Sequence, residues 1–269
     1  LKGALNAVFS SGGKKSMGLR SRICVNLAWS GEKGLSDLNT AAQLKNISRT
    51  INLYELCQVH GFDRFLHIGS MEENFALEYL QIEDRDSNKF NRHIIHAICK
   101  YHAKTALKAY QKMLGLDVLF ATNCHVIGPP DLRDSMLQMM VQNIIDGRRE
   151  LVFSTGSQLF DVLSVFDLVD YYVEIANKGS NLVDYFVGTG SPKPLRSYIE
   201  DVISVLSYDG DLHFGALGYD DVVLHESQFD ISDLKSITTK TPAQLFEESI
   251  LDVYKWLKFG EFDDNKILA

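Results

Sequence analysis

Long apolar runs are missing from this 269-residue chain. Charge interrupts each of them within a few residues, and none approaches the roughly 20 apolar residues that a membrane-spanning helix needs. No signal-peptide pattern is visible at the start. A basic block is missing too: net charge is −8, and no cluster of lysine and arginine stands clear of acidic neighbours. That excludes the electrostatic funnel on which nucleic-acid binding relies, so no nucleic-acid partner is expected. The four cysteines, Cys24, Cys57, Cys99 and Cys124, have no CxxC spacing for zinc or redox work. They are expected to be reduced, buried and cytoplasmic. His93, His96, Cys99 and His102 share one stretch, but the HExxH pattern is absent and no metal is expected. "GGKKS" lacks the first glycine of a phosphate loop, whose place is held by Val8. A methionine start is also absent, and residues upstream of Leu1 are expected.

What is present is alternation. "ICVNLA" (23–28) and "RFLHIGS" (64–70) are short apolar runs ending in small or polar residues, as parallel strands do when they deliver a loop to a cleft. Between them Leu44, Ile47, Ile51, Tyr54 and Val59 recur at helical spacing and outline a buried face over 40–60. Ile95, Ile98, Leu107, Tyr110 and Leu114 outline a second long helix, ended by Gly115 before the strand "DVLFAT" (117–122). This β-α-β-α-β order predicts an α/β fold with a parallel sheet, helices on its faces, and ligands at the carboxyl ends of its strands.

After "GPPD" (128–131) the elements shorten. A helix is expected near 135–146, with Met136, Met139 and Met140 lining core or cleft. There follow a strand at 150–154, a helix at 167–178, a strand at 184–188 and a helix opened by Pro194 and Leu195. A last helix at 242–257 is expected to start at Pro242 and to bury Leu245, Phe246, Ile250, Val253 and Trp256. The change of texture puts a domain boundary after residue 127, with about 150–180 returning to the first domain.

Seven pieces, "VNLAWSG" (25–31), "HIGSMEENF" (67–75), Lys100, "VIGPPD" (126–131), "GSQLFDVLSVFDLVD" (156–170), "YFVGTGSPKPLRSYI" (185–199) and "FDISDLK" (229–235), occur in one order. Together they resemble the extended short-chain dehydrogenase/reductase family, and within it the NAD-dependent epimerases, dehydratases and reductases of nucleotide sugars. The resemblance covers nearly everything from residue 23 onward. It implies a Rossmann-like dinucleotide domain over 1–127, incomplete at its start, and a smaller nucleotide-sugar lobe over 128–269. It also implies NAD or NADP as cofactor, a cytoplasmic location, and a homodimer in which the helices near 40–60 and 92–114 of two copies form a four-helix bundle.

The resemblance further assigns roles. Ser70 takes the place of the family's catalytic serine or threonine, Lys100 that of its lysine, and His96 that of the tyrosine one helical turn before the lysine. Asn26, Ala28 and Trp29 border the cofactor, with Asn26 where relatives often carry histidine. Gly12 and Gly18 have the outer spacing of the glycine-rich turn, although Lys15 stands in the middle. Too few residues separate Gly18 from Ile23 for a complete cofactor domain. Ser70, Met71, His125 and Arg196 fall at substrate-side positions. His125 replaces an asparagine, and Phe160 an arginine, so the pocket departs from the usual uridine-sugar pattern. Asp161 and Asp167 are expected to organise helix and strand rather than to catalyse.

Residues i and i+4 share a helical face, so groups at 96 and 100 can converge on one oxygen. An ammonium pulls a phenol pKa down toward the working range. Beside histidine it instead disfavours imidazolium and leaves a neutral ring. Two readings follow. One is an oxidoreductase or epimerase of a nucleotide-activated sugar serving bacterial surface polysaccharides, in which His96 does altered acid/base work. The other is a non-catalytic sugar-nucleotide-binding or scaffolding relative, in which His96 only fills space.

Overall fold

A computed structural model describes residues 21–31, 39–80, 93–129, 135–218 and 223–261. The first strand, β1 (Ile23–Asn26), leads through a loop to α1 (Thr40–Val59), then to β2 (Arg64–Ser70), α2 (Glu72–Leu80), α3 (Ile94–Leu114) and β3 (Asp117–Asn123). There follow β4 (His125–Ile127), α4 (Met136–Ile145), β5 (Glu150–Phe153), β6 (Leu159–Phe160), β7 (Val162–Ser164) and α5 (Val165–Lys178). The chain continues with β8 (Asp184–Val187), β9 (Lys193–Pro194), α6 (Leu195–Val205), β10 (Asp211–Phe214), α7 (Ser232–Ile237) and α8 (Phe246–Phe259).

The main sheet has the order β1-β2-β3-β8 with all pairs parallel, as the alternation predicts. Its register sets the site. Ser70 lies opposite Asn123, and Asn123 opposite Val187, so three strands end level. β1 stops at Asn26, opposite His67. Because successive side chains alternate, Phe65, Val118 and Phe120 face α1 and α3, packing with Ile51, Tyr54, Cys57 and Leu107. Leu66, Ile68, Leu119 and Ala121 face the other way, toward Leu168, Tyr171 and Ile175 of α5. This is the expected Rossmann-like α/β arrangement. No helix among the described residues is long and apolar enough to cross a membrane.

A second core joins Leu137, Met140 and Val141 of α4, Leu195, Ile199 and Val202 of α6, and Ile250 and Val253 of α8. Two strand pairs, β5 with β10 and β4 with β7, are parallel, while β6 and β9 run antiparallel. Gly156, at φ +69°, lies where a Cβ would come within 2.9 Å of Arg196, so the loop after β5 closes against the start of α6 only with glycine.

Three expectations need correction, and one element was missed. The last helix begins at Phe246, because Leu245 is extended and Asp167 accepts the N–H groups of Ala243 and Gln244; Pro242 precedes it and Leu245 is exposed. The helix expected from Asp167 begins at Val165, capped by the Ser164 hydroxyl accepting from the Phe166 N–H. The helix α2 escaped notice as a separate element. Most telling are α1 and α3: Leu44, Val59 and Ile98 face outward, while Gln43, Asn46 and Thr50 of α1 and His96, Lys100 and Lys104 of α3 are buried. The upper half of the layer between these helices and the sheet is polar.

Candidate active site at the strand ends

The polar layer begins with the loop after β1. The Asn26 side-chain oxygen accepts from the Ala28 N–H at 3.3 Å and turns the chain out of the strand. Ser30 is then clamped to α1: its N–H donates to Asn46 Oδ1 at 3.0 Å, its carbonyl accepts from Asn46 Nδ2 at 2.7 Å, and its hydroxyl accepts from Arg49 at 2.8 Å. The Trp29 indole N–H donates to Gln43 Oε1 at 2.8 Å. The inward polar residues of α1 thus hold a loop in place, which is why an apolar periodicity could not find that face.

Trp29 lies against both rungs of α3. Its ring meets His96 edge-on, with centroids 5.8 Å apart, and the Lys100 ammonium lies 4.3 Å from its centroid. Lys100, only 8% exposed, donates to the Ile68 carbonyl at 2.8 Å, two residues before Ser70. Burial brings its pKa down to about 8, against the pull of Glu73. Burial and then Lys100 bring His96 down to about 4, so the ring is neutral at pH 7. The expected neutral imidazole is present, but its largest cause is desolvation rather than the lysine.

Ser70 is half-buried, its hydroxyl accepting from the Glu72 N–H at 3.3 Å and its own N–H donating to Glu73 at 2.9 Å. Its hydroxyl proton therefore remains available to a ligand. Met71 lies in the first core. One turn beyond Lys100, Lys104 forms the centre of a buried ion cluster, 2.5 Å from Glu73, 2.6 Å from Asp184 and 2.8 Å from the Thr122 hydroxyl. Burial opposes its charge, but the two carboxylates outweigh that and raise its pKa. His67 is fully buried, its Nδ1 3.4 Å from Asn26 Nδ2 and its Nε2 without a partner among the described residues.

The structure therefore brings Trp29, His96 and Lys100 into contact and places Ser70 beside the carbonyl that holds Lys100. Asn26 and Ala28 shape the loop. His125 lies against Phe160, at 5.6 Å between ring centroids, and Arg196 stacks on Phe214 at 4.3 Å and pairs with Glu200 at 2.8 Å. Gly12 and Gly18 lie outside the described residues. Asp161, fully buried, accepts from Thr189 and Gly190 and organises the turn after β8, and Asp167 organises the segment before α8. Sequence reasoning missed Gln43, Asn46, Glu73, Lys104 and the Asn123–Tyr172 pair at 2.5 Å. Two had a signal: Ser70-x-x-Glu73 has helix-start spacing, and Lys104 continues the four-residue step from His96 and Lys100.

Relatives of known structure share this arrangement of strands and helices. RMD from Pseudomonas aeruginosa, solved with NADPH, superposes with a TM-score of 0.68 at 18% identity, covering 88% of this chain and 81% of that one. A UDP-N-acetylglucosamine 4-epimerase from Methanobrevibacter ruminantium M1 gives 0.71 at 18% identity, covering 89% and 77%. In sequence, the probable GDP-L-fucose synthase 1 of Oryza sativa subsp. japonica is 24% identical over 170 residues, 60% of this chain and 51% of its own length. GDP-L-fucose synthase 1 of Arabidopsis thaliana is 25% identical over 170 residues, 60% and 52%. The chain spans about half the length of these curated relatives. The profile of the NAD dependent epimerase/dehydratase family matches residues 17–188, a span that takes in the whole main sheet and both rungs of α3, and the chain belongs to that family.

Proposed function

We propose that the protein is an NAD(P)-dependent oxidoreductase or epimerase of a nucleotide-activated sugar, serving the synthesis of deoxysugars for bacterial surface polysaccharides. The observation that carries this is Lys100: a buried ammonium bonded to a backbone carbonyl rather than a carboxylate, one turn from His96 and beside the strand end that bears Ser70. The names of its relatives, among them enzymes of UDP- and GDP-linked sugars and structures holding NADPH or NAD, support the same reading.

The described residues fit the ribose end of such a cofactor. An ammonium has three N–H donors, and the Ile68 carbonyl takes one, leaving donors for a pair of ribose hydroxyls. When bound, NAD(P) supplies the exchange of hydride with a sugar carbon. In our reading Asn26, Ala28 and Trp29 form the wall on that side, and Gly12 and Gly18 belong to the phosphate turn. Ser70 donates to the reacting hydroxyl, and the neutral His96 ring accepts or returns its proton. Lys100 keeps positive charge beside the oxygen. Met71, His125 and Arg196 belong to the sugar-nucleotide side, Arg196 from within a lobe that runs from residue 128 onward.

A second reading, binding without turnover, has one observation in its favour: Trp29 covers Lys100 while His96, with a pKa of about 4, is a weak base. Calorimetry with NAD+ and NADP+, followed by absorbance of the reduced nicotinamide with a panel of UDP-, GDP- and dTDP-sugars, separates the two. Binding together with slow hydride transfer is expected. Binding with no transfer to any sugar makes the second reading the correct one, and no binding of cofactor overturns the first.

A homodimer through α1 and α3 belongs to this proposal. These helices pack along each other and carry Leu44, Leu56, Ile98 and Tyr101 with 52%, 48%, 41% and 38% exposure, apolar surface turned away from the sheet. Sedimentation at micromolar concentration should give twice the chain mass, and Leu44→Asp with Ile98→Asp should halve it. A wild-type monomer refutes the dimer.

A further inference from the structure

Side chains close the open edge of the strand end that bears Ser70. β1 stops at Asn26, opposite His67, whereas β2 runs on to Ser70. The Met71 N–H donates to the Asn123 carbonyl of β3 at 2.8 Å, so by alternation the backbone groups of Ile68 and Ser70 point to the side that β1 has left. Each finds a side chain there. Lys100 donates to the Ile68 carbonyl at 2.8 Å, and Glu73 accepts from the Ser70 N–H at 2.9 Å. We propose, resting on the reading of Ser70 as donor to the reacting hydroxyl, that Glu73 is a positioning residue whose carboxylate fixes the backbone from which the Ser70 hydroxyl reaches the sugar.

Three observations single out this carboxylate. Glu73 is 1% exposed although it stands in the first turn of α2, directly after the strand. It is fixed at both oxygens. Oε1 accepts from Ser70, and Oε2 lies 2.5 Å from Lys104, which is also 2.6 Å from Asp184 and 2.8 Å from the Thr122 hydroxyl. A place is kept for it as well. A Cβ on Gly69 would come within 2.6 Å of Glu73 Oε1 and 3.1 Å of Thr122 Oγ1, so glycine is what lets the carboxylate lie against the strand.

The place demands a carboxylate rather than an amide. The Ser70 N–H and the Lys104 ammonium are both donors, and a carboxylate can accept from one on each oxygen. An amide has one accepting and one donating end. With its oxygen on Lys104 it sets its amino group against the Ser70 N–H, and with its oxygen on Ser70 it sets that group against the ammonium. Meanwhile the Ser70 hydroxyl oxygen accepts from the Glu72 N–H at 3.3 Å. Consecutive residues of α2 thus hold the nitrogen and the side-chain oxygen of Ser70, which leaves its hydroxyl proton for a ligand.

The test uses the intact chain and two separate variants. Glu73→Gln removes one acceptor, whereas Gly69→Ala keeps the charge but pushes the carboxylate off the strand. In both, hydrogen exchange at the Ser70 amide, read at single-residue resolution, should be about 10–100-fold faster, as the loss of a hydrogen bond to a charged group implies. With a sugar nucleotide that the wild-type chain turns over, kcat should fall about 10–100-fold, the cost of a misplaced group, while KM and cofactor affinity stay near wild type. Combining Glu73→Gln with Lys104→Met removes the competing donor, so kcat should rise above that of Glu73→Gln although the double variant unfolds at lower urea. A merely structural role would make the less stable chain the slower one. Unchanged Ser70 exchange in both variants overturns the proposal, as does a double variant slower than Glu73→Gln alone. If one single variant does not fold, the other gives the same readings. If the wild-type chain turns over no sugar, the reading of Ser70 as donor falls, and the exchange measurement still decides whether Glu73 holds it.

Discussion

His96→Tyr should raise hydride transfer by about 10²–10⁴-fold, the usual contribution of a positioned acid/base group. In the wild-type chain the ring at this position is neutral and holds its proton only below about pH 4, so it is a poor match for proton transfer near neutrality. A phenol there would stand one turn from an ammonium that, among the described residues, has no carboxylate bonded to it, and that charge draws a phenol down from about 10 toward the working range. Absorbance of the reduced nicotinamide, with the two forms compared on the same sugar panel, measures the effect. Equal rates with equal cofactor affinity would show that position 96 does not handle the proton. The exchange has a second readout that needs no substrate. The unfolded imidazole takes its proton near 6.5 and the folded one near 4, so between these values the unfolded state binds more protons. Stability should therefore fall as pH drops from 6.5 toward 4, and that slope should be shallower in the tyrosine variant.

Lys104→Met should cost about 3–5 kcal/mol of folding stability, as expected when one partner of a buried ion cluster is removed. The ammonium is the shared partner of Glu73, 1% exposed, and of Asp184, and no solvent replaces it at Glu73. Urea unfolding should show a lower midpoint at nearly constant slope. Adding Glu73→Gln to the same chain should recover part of the loss, since an uncharged amide has less need of the missing cation. A loss under about 1 kcal/mol would place Lys104 among weak surface pairs and refute the assignment.

What the sequence made legible follows from the range of each signal. β2 and β3 are short apolar runs buried on both faces, and such runs are visible without knowing their neighbours. Ser70 was legible as the polar end of the apolar run that forms β2, whereas Lys100 was reached only through the family resemblance. The faces of α1 and α3 were misread because Leu44 and Ile98 satisfy helical periodicity yet point outward, while the inward positions carry polar groups whose partners are distant in sequence. Gln43 meets Trp29, and Lys104 meets Asp184 across two strands; neither pairing has any local trace.

The two halves of α1 differ in what they bury: Gln43, Asn46 and Thr50 toward its start, Ile51, Tyr54 and Cys57 toward its end. Water can replace a hydrogen bond at a net cost of about 0.5–1.5 kcal/mol, but it has no substitute for buried apolar contact. The helix is accordingly fastened at one end and only latched at the other. Fraying should begin over Trp29 and stop before Tyr54, so the strand-end cleft can breathe open and admit a bulky molecule while the far end of the same helix keeps the sheet covered.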